Sequence, residues 1–400
     1  MDTTAILIIA ATVFLWGTVS SRLERADLTA PIVFVLIGGA LAATGLVDGP
    51  TAPETLKPLV ELTLVWVLFS DAARIPIRQV RGDLGRYLRL LGVGLPLTIL
   101  AGWGTAVWFF PGLGSWLALL VAAALAPTDA ALGIPVVTNP AVPAGVRRLI
   151  TVESGLNDGI ATPVVMLALA GAASTEADSG VSGPGAAVAE MVVGAVVGAV
   201  VGVAGGWALR RARRARWAAR DFAGVAVLFL AVVAYAGALV AGGNGFIAAF
   251  CGGLAFGAVA GRGGPDELAF LEQSSGLLSV LVWLAFGAIA LPIMSDRVDL
   301  VAVAYAVLSL TVLRMVPVAL ATIGSGLDRG TVLFIGWFGP RGLASLLFAL
   351  FALDELGPVA DEAVTVIAVT VLLSVVAHGL SAAPLAARYA SANSRGAEVR

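Results

Sequence analysis

Long apolar runs separated by short polar stretches follow one another along almost the whole chain. A helix that crosses a bilayer needs about 20 mostly apolar residues, each rising ~1.5 Å. That length divides the chain into thirteen predicted spans, near residues 3–20, 28–46, 58–73, 87–109, 114–138, 146–172, 185–209, 222–240, 243–260, 268–292, 300–323, 330–353 and 363–386. The third and ninth are short. The longest polar stretches are the linker 173–184 and the tail 387–400, where Ser391, Asn393, Ser394, Arg395 and Gly396 predict disorder. The predicted fold class is an all-α polytopic membrane protein without a soluble domain.

Composition sharpens this picture. Apolar residues make up 59% of the 400 and charged residues only 12%, too few to cover a water-soluble fold of this size. The single cysteine, Cys251, excludes an intrachain disulfide. The first apolar run is preceded by Asp2 and followed by Arg22 and Arg25, the reverse of a cleaved signal peptide, so a first membrane helix is expected there. Of the 24 Lys and Arg residues, twenty fall in one set of alternate loops, only Lys57 and Arg297 in the other, and Arg314 and Arg341 within spans. Basic loops stay cytoplasmic, so the C-terminus is expected inside and the N-terminus outside a cytoplasmic membrane. The cluster from Arg210 to Arg220 reads as part of this topology signal rather than as a nucleic-acid surface.

Charged groups inside spans change the picture most, because they are rare and functional. The fifth span carries Asp129, the sixth Glu153 and Asp158, the eleventh Arg314 and the twelfth Arg341. Counting from the loops, Asp129, Asp158, Arg314 and Arg341 all lie roughly 14–17 Å deep, near the middle of a core about 30 Å thick. Three acids and two arginines leave one carboxylate unmatched. Such a group stays neutral only by holding a proton or a cation. Those two occupants exclude each other, and mutual exclusion at one site is the minimal requirement for exchange.

The segments carrying these charges are broken. Pro127, Gly133 and Pro135 surround Asp129, and Gly339, Pro340 and Gly342 surround Arg341. Free backbone groups at that depth survive only beside a buried or wet cavity. The two interrupted spans run in opposite directions, as in an inverted repeat. In the sixth span Glu153 and Asn157, and Ser154 and Asp158, stack at i,i+4, so four oxygen-bearing side chains share one half of a helix. Hard monovalent cations favour oxygen ligands, which Asp158, Ser154, Thr128 and Asp129 offer. Among the remaining polar groups, His378 is expected to make a structural hydrogen bond, Asn244 to cap a helix, and Glu61, Glu190 and Glu272 to carry no role.

Pro127-Thr128-Asp129, Glu153-Ser154-x-x-Asn157-Asp158, Gly339-Pro340-Arg341-Gly342 and His378-Gly379-Leu380, with Phe69-Ser70-Asp71 before them, resemble the signatures of the electroneutral sodium/proton exchangers of the monovalent cation/proton antiporter family. The motifs stand in family order, and the resemblance runs from about residue 4 to 386. It implies the sodium/proton antiporter fold, with two crossed, broken helices. An ion-binding core would comprise residues 87–172 and 300–386, and a scaffold that forms a homodimer residues 3–80 and 185–292. Residues 387–400 would be a short cytoplasmic tail. Asp158 would carry Na+ and H+ alternately, with Ser154, Thr128, Asp129 and Asn157 as cation ligands or their neighbours. Glu153 would pair with Arg314, and Arg341 would neutralise the helix crossing. The Asn157-Asp158 pair goes with one-for-one exchange. No cofactor is implied beyond the transported ions, and no partner beyond membrane lipid and a second copy. Two other readings stay open: a transporter of similar architecture for an organic anion, and, more remotely, an intramembrane aspartyl protease using Asp129 and Asp158.

Overall fold

The computed structural model describes residues 3–24, 28–45, 56–75, 83–129, 132, 134–176, 184–260 and 264–398. Asp2, Arg25, Gly133 and most of the 173–184 linker, invoked above, lie outside them. No strand occurs among the described residues. The helices are α1 (Thr3–Glu24), α2 (Ala30–Ala43), α3 (Lys57–Ala73), α4 (Leu84–Phe109), α5 (Gly114–Leu125), the short α6 (Ile134–Val137) and α7 (Ala144–Glu176). There follow α8 (Pro184–Arg214), α9 (Arg220–Val240), α10 (Gly245–Ala260), α11 (Gly264–Arg297), α12 (Leu300–Ala321), α13 (Arg329–Trp337), α14 (Leu343–Leu356) and α15 (Asp361–Glu398).

Every predicted span contains helix. Among the described residues, eight helical stretches are long and apolar enough to cross a membrane, and Ala30–Ala43, Pro111–Leu125 and Gly245–Ala260 are shorter apolar helices. The protein is a multi-pass membrane protein. The tail differs from the expectation: α15 continues through Ser391 to Glu398 instead of losing order. Two irregularities were also not anticipated. Residues Leu90–Gly94 of α4 widen into a π turn, ending where Pro96 has no N–H to offer the turn before it. In α12 the helix breaks at Thr311 (φ −112°, ψ −92°), three residues before Arg314.

Side-chain caps explain several starts. Asn244 Oδ1 accepts from the amides of Phe246 and Ile247 at 3.0 and 3.1 Å, opening α10. Asp299 and Asp328 do the same for α12 and α13. The Thr331 hydroxyl and amide hold the Asp328 carboxyl below its usual range.

The helices pack in two sets. In one, α2, α3 and α8–α11 adjoin; in the other, α4, α5, α7 and α12–α15. Small residues bring the first set together. A Cβ on Gly198 of α8 would meet the Ala248 carbonyl of α10, and one on Gly253 or Gly257 of α10 would meet the Phe69 or Ala73 carbonyl of α3. Backbones this close gain dispersion contacts that lipid chains cannot supply. They also hold α3 flat against α10, next to α7. The cores of both sets join in one apolar cluster from Phe34 to Val375.

Candidate functional site

The site begins at a crossing of two non-helical segments. Helix α5 ends at Leu125 and α13 at Trp337, and residues 126–129 and 338–342 pass one another between the helices. Proline in each segment removes an amide that helix would require. The Asp129 amide donates to the Pro340 carbonyl at 2.7 Å. Both helices end here, each presenting its negative pole and unpaired carbonyls. Arg341, fully buried, answers the end of α5: Nη1 donates to the carbonyls of Ala126 (2.5 Å) and Pro127 (2.9 Å), and Nη2 to that of Ser309 (3.4 Å) beside the break in α12. Ser345 donates to the Ala124 carbonyl at 2.6 Å, tying α14 to the end of α5. On the other side of the crossing α14 begins, and its positive pole faces Asp129. The Leu343 amide donates to Asp129 Oδ2 at 3.2 Å.

Against this crossing lies α7. Glu153 accepts from Arg314 Nη2 at 2.5 Å, with both side chains almost wholly buried. The Thr128 hydroxyl lies 3.0 Å from Ser154 Oγ and accepts from Asn157 Nδ2 at 2.7 Å. Asn157 therefore holds Thr128 in place. Asp158 is buried, and its Oδ1 has no hydrogen-bond partner among the described residues. The charges of Asp71 and Asp129 both act on it.

A cavity of about 640 Å³ leads to this carboxylate. Its inner wall carries Asp71, Thr128, Asp129, Ser154 and Asp158; toward the surface it is bounded by Thr151 and Arg74. Arg74 is half exposed and ion-paired with Glu272 of α11. Gly155 lies beside the backbone of Asp71, with room for a Cβ at ordinary contact distance. Among the described residues no three His, Cys, Asp or Glu side chains converge as a metal-holding group. A cation at Asp158 would therefore draw on hydroxyl and carbonyl oxygens as well as carboxylate.

The structure thus gathers Thr128, Asp129, Ser154, Asn157 and Asp158 in one place and sets Glu153, Arg314 and Arg341 just behind them. Sequence reasoning named Asp71 only within the Phe69-Ser70-Asp71 motif and gave it no role, although it faces the same cavity. The available signals were that motif and its position within α3, two residues before the helix ends. Glu272, given no role, guards the cavity surface with Arg74. His378 Nε2 donates to the Trp337 carbonyl at 2.9 Å, and Nδ1 meets the Ser374 hydroxyl at 3.1 Å, a bracing contact between α15 and α13.

Two interrupted helices crossing at buried charges, beside a membrane-embedded cavity lined by Asp71, Asp129 and Asp158, define a secondary-transporter architecture. The family model described as "Sodium/hydrogen exchanger, transmembrane" matches residues 8–388, and the chain belongs to that family of transporters. Among curated relatives it is 26% identical to the K(+)/H(+) antiporter NhaP2 of Shewanella sp. (strain ANA-3), over 94% of this chain and 64% of that protein. A shorter stretch, 31% of this chain, is 31% identical to a Na(+)/H(+) antiporter of Saccharomyces cerevisiae, of which it covers 14%. The chain thus spans less than two thirds of the length of these relatives. Among solved structures, the sodium proton antiporter MjNhaP1 from Methanocaldococcus jannaschii superposes with a TM-score of 0.78, covering 96% of this chain and 98% of that one. At 20% identity, that likeness speaks for the fold.

Proposed function

We propose that this protein exchanges Na+ or another monovalent cation for H+, one for one, by competition of the two for Asp158, with the site open alternately to the two sides of the membrane. The observation that carries the proposal is the buried Oδ1 of Asp158, without a hydrogen-bond partner among the described residues, at the head of the cavity. A bare carboxylate there is costly, and either a proton or an alkali cation relieves it. Asp158, Ser154, Thr128 and Asp129 supply the cation's oxygens, and Asn157 orients Thr128. Each occupant leaves the same net charge on the moving site, so exchange is electroneutral. Helices α4–α7 and α12–α15 form the moving core, and α1–α3 with α8–α11 the scaffold of a homodimer in the cytoplasmic membrane. The concentration of arginine in alternate loops supports an inside C-terminus.

The relatives include both K+/H+ and Na+/H+ antiporters, so either alkali cation fits. An organic anion fits poorly, because Asp71, Asp129 and Asp158 all line the cavity. A protease dyad fits poorly too, since Asp129 is engaged at the start of α14. The test is purified protein in liposomes loaded with a pH dye. Imposed Na+ or K+ gradients should drive proton movement that persists with the membrane potential clamped at zero and disappears in Asp158→Asn. Flux that survives the substitution would reject Asp158 as carrier, and no flux with any alkali cation would reject exchange itself.

A further inference from the structure

The chain contains a single lysine, Lys57, and it joins the two helix sets. From the first turn of α3, Nζ reaches Asp354 Oδ2 at 2.8 Å and Glu355 Oε1 at 3.2 Å, both near the end of α14. The Asp354 side chain is only 11% exposed. Beneath the pairs, Leu56, Val60, Leu350 and Phe351 pack round a small pocket. Glu61, one turn further along α3, is engaged separately by the Tyr235 hydroxyl.

The position of this cluster relative to the cavity gives it meaning. Lys57 and Arg74 stand at opposite ends of α3, about 25 Å apart by the helix rise. Arg74 bounds the cavity that leads to Asp158, and Lys57 sits where α3 and α14 are sealed together. Helix α14 starts at the crossing with its amide on Asp129 and ends at Asp354, so it links the site directly to the sealed face. Half-exposed ion pairs contribute little to holding a fold, but they suffice to bias two nearly balanced arrangements.

We propose that Lys57 with Asp354 and Glu355 is a latch that keeps the sealed face closed while the cavity is open at the Arg74 end. Its release lets α14 part from α3, exposing Asp158 to the other side. The inference rests on the alternating exposure proposed above.

The test uses full-length protein in liposomes, in a Cys251→Ser background. A thiol at Val60→Cys, behind the latch, is titrated with a membrane-impermeant maleimide. Lys57→Met should raise its labelling rate by roughly three- to tenfold. The charge exchange Lys57→Glu with Asp354→Lys should return the rate to its starting value, which loosened packing alone would not do. Should Lys57→Met not assemble, Glu355→Gln removes one arm of the latch and should move the rate in the same direction. In a second arm, Lys57→Cys with Asp354→Cys is oxidised to a disulfide. Cation-driven proton flux should stop and return on reduction, while a thiol at Ser275→Cys in the cavity stays reactive throughout. Unchanged labelling of Val60→Cys without the latch, or full exchange by the cross-linked protein, would overturn the proposal. Absence of flux in the uncross-linked parent would instead count against exchange, and the labelling arm would still judge the latch.

Discussion

Arg314 and Glu153 are joined at 2.5 Å between α12 and α7, both nearly inaccessible to solvent. Arg314 Nε and Nη1 have no other partner among the described residues, so the carboxylate is the guanidinium's main compensation. Removing one member of such a pair leaves a buried charge and costs about 3–5 kcal/mol. Glu153→Ala should therefore lower the melting temperature in detergent markedly. The double variant Glu153→Leu with Arg314→Met should melt much closer to the parent, since it leaves no orphan charge. A single variant as stable as the parent would show that the pair is dispensable.

Asn157 hydrogen-bonds Thr128 through its amide nitrogen, at 2.7 Å, one residue before the proposed carrier. An aspartate there could only accept, so the Thr128 hydroxyl would have to turn its proton toward it. It would also bring a further negative charge beside Asp158. Asn157→Asp should bind an additional cation or proton per cycle and make exchange sensitive to voltage. Flux measured with the potential set by K+ and valinomycin, in a Na+ gradient, would read this; exchange indifferent to voltage would count against it.

Two glycines near the site separate close fit from spare room. A Cβ on Gly342 would fall within 2.5 Å of the Cβ of Asp129, with the carboxyl oxygen nearer still. Gly342→Ala must push Asp129 off the start of α14, so transport should fall by roughly a hundredfold or more while the protein still assembles. A Cβ on Gly155 would lie 3.5 Å from the Asp71 carbonyl, an ordinary contact. Gly155→Ala should keep its rate within about threefold of the parent. Equal effects from both would mean that the crossing is more yielding than its packing suggests.

The removal of Asp71 offers a gentler perturbation. Its carboxylate faces the same cavity and adds its field to that of Asp158, yet it lies on α3, outside the crossing. Asp71→Asn should raise the KM for Na+ by roughly tenfold and leave kcat nearly unchanged, because it weakens attraction without touching the carrier. Loss of kcat with KM unchanged would assign Asp71 to the moving step instead.

How far these features could be read beforehand follows from which physical signals are local. Apolar run length marked every helix-bearing segment, because a bilayer imposes the same length on each. Pro127, Pro340 and the glycines beside them marked the two interruptions, since breaking a helix is a property of the residue itself. Charge at matched depth drew attention to Asp129, Asp158, Arg314 and Arg341. What stayed hidden depends on contacts between distant segments. Asp71 is near the end of its span, where an acid can reach water, and only the approach of α10 and α7 turns it into the cavity. The partner of Asn157 required knowing that Thr128 leaves the helix at just that point. The order of α15 beyond residue 387 had no apolar signal to announce it, and the break at Thr311 carries no proline or glycine of its own.

The competition proposed for a single carboxylate fixes how transport should depend on pH. Only the fraction of Asp158 without a proton can take a cation, and once the proton dominates that fraction falls tenfold for each unit of acidification. The apparent KM for Na+ should then rise about tenfold per pH unit on the acid side and level off at alkaline pH, with kcat reached at any pH given enough cation. The same rule requires that raising Na+ shift the half-inhibiting pH downward, by one unit per tenfold change in concentration at the limit. Initial rates in pH-dye liposomes over a grid of pH and Na+ would measure both slopes. A pH profile that stays put as Na+ is varied would place the proton on a separate regulatory group, and Asp158 would then bind the cation alone.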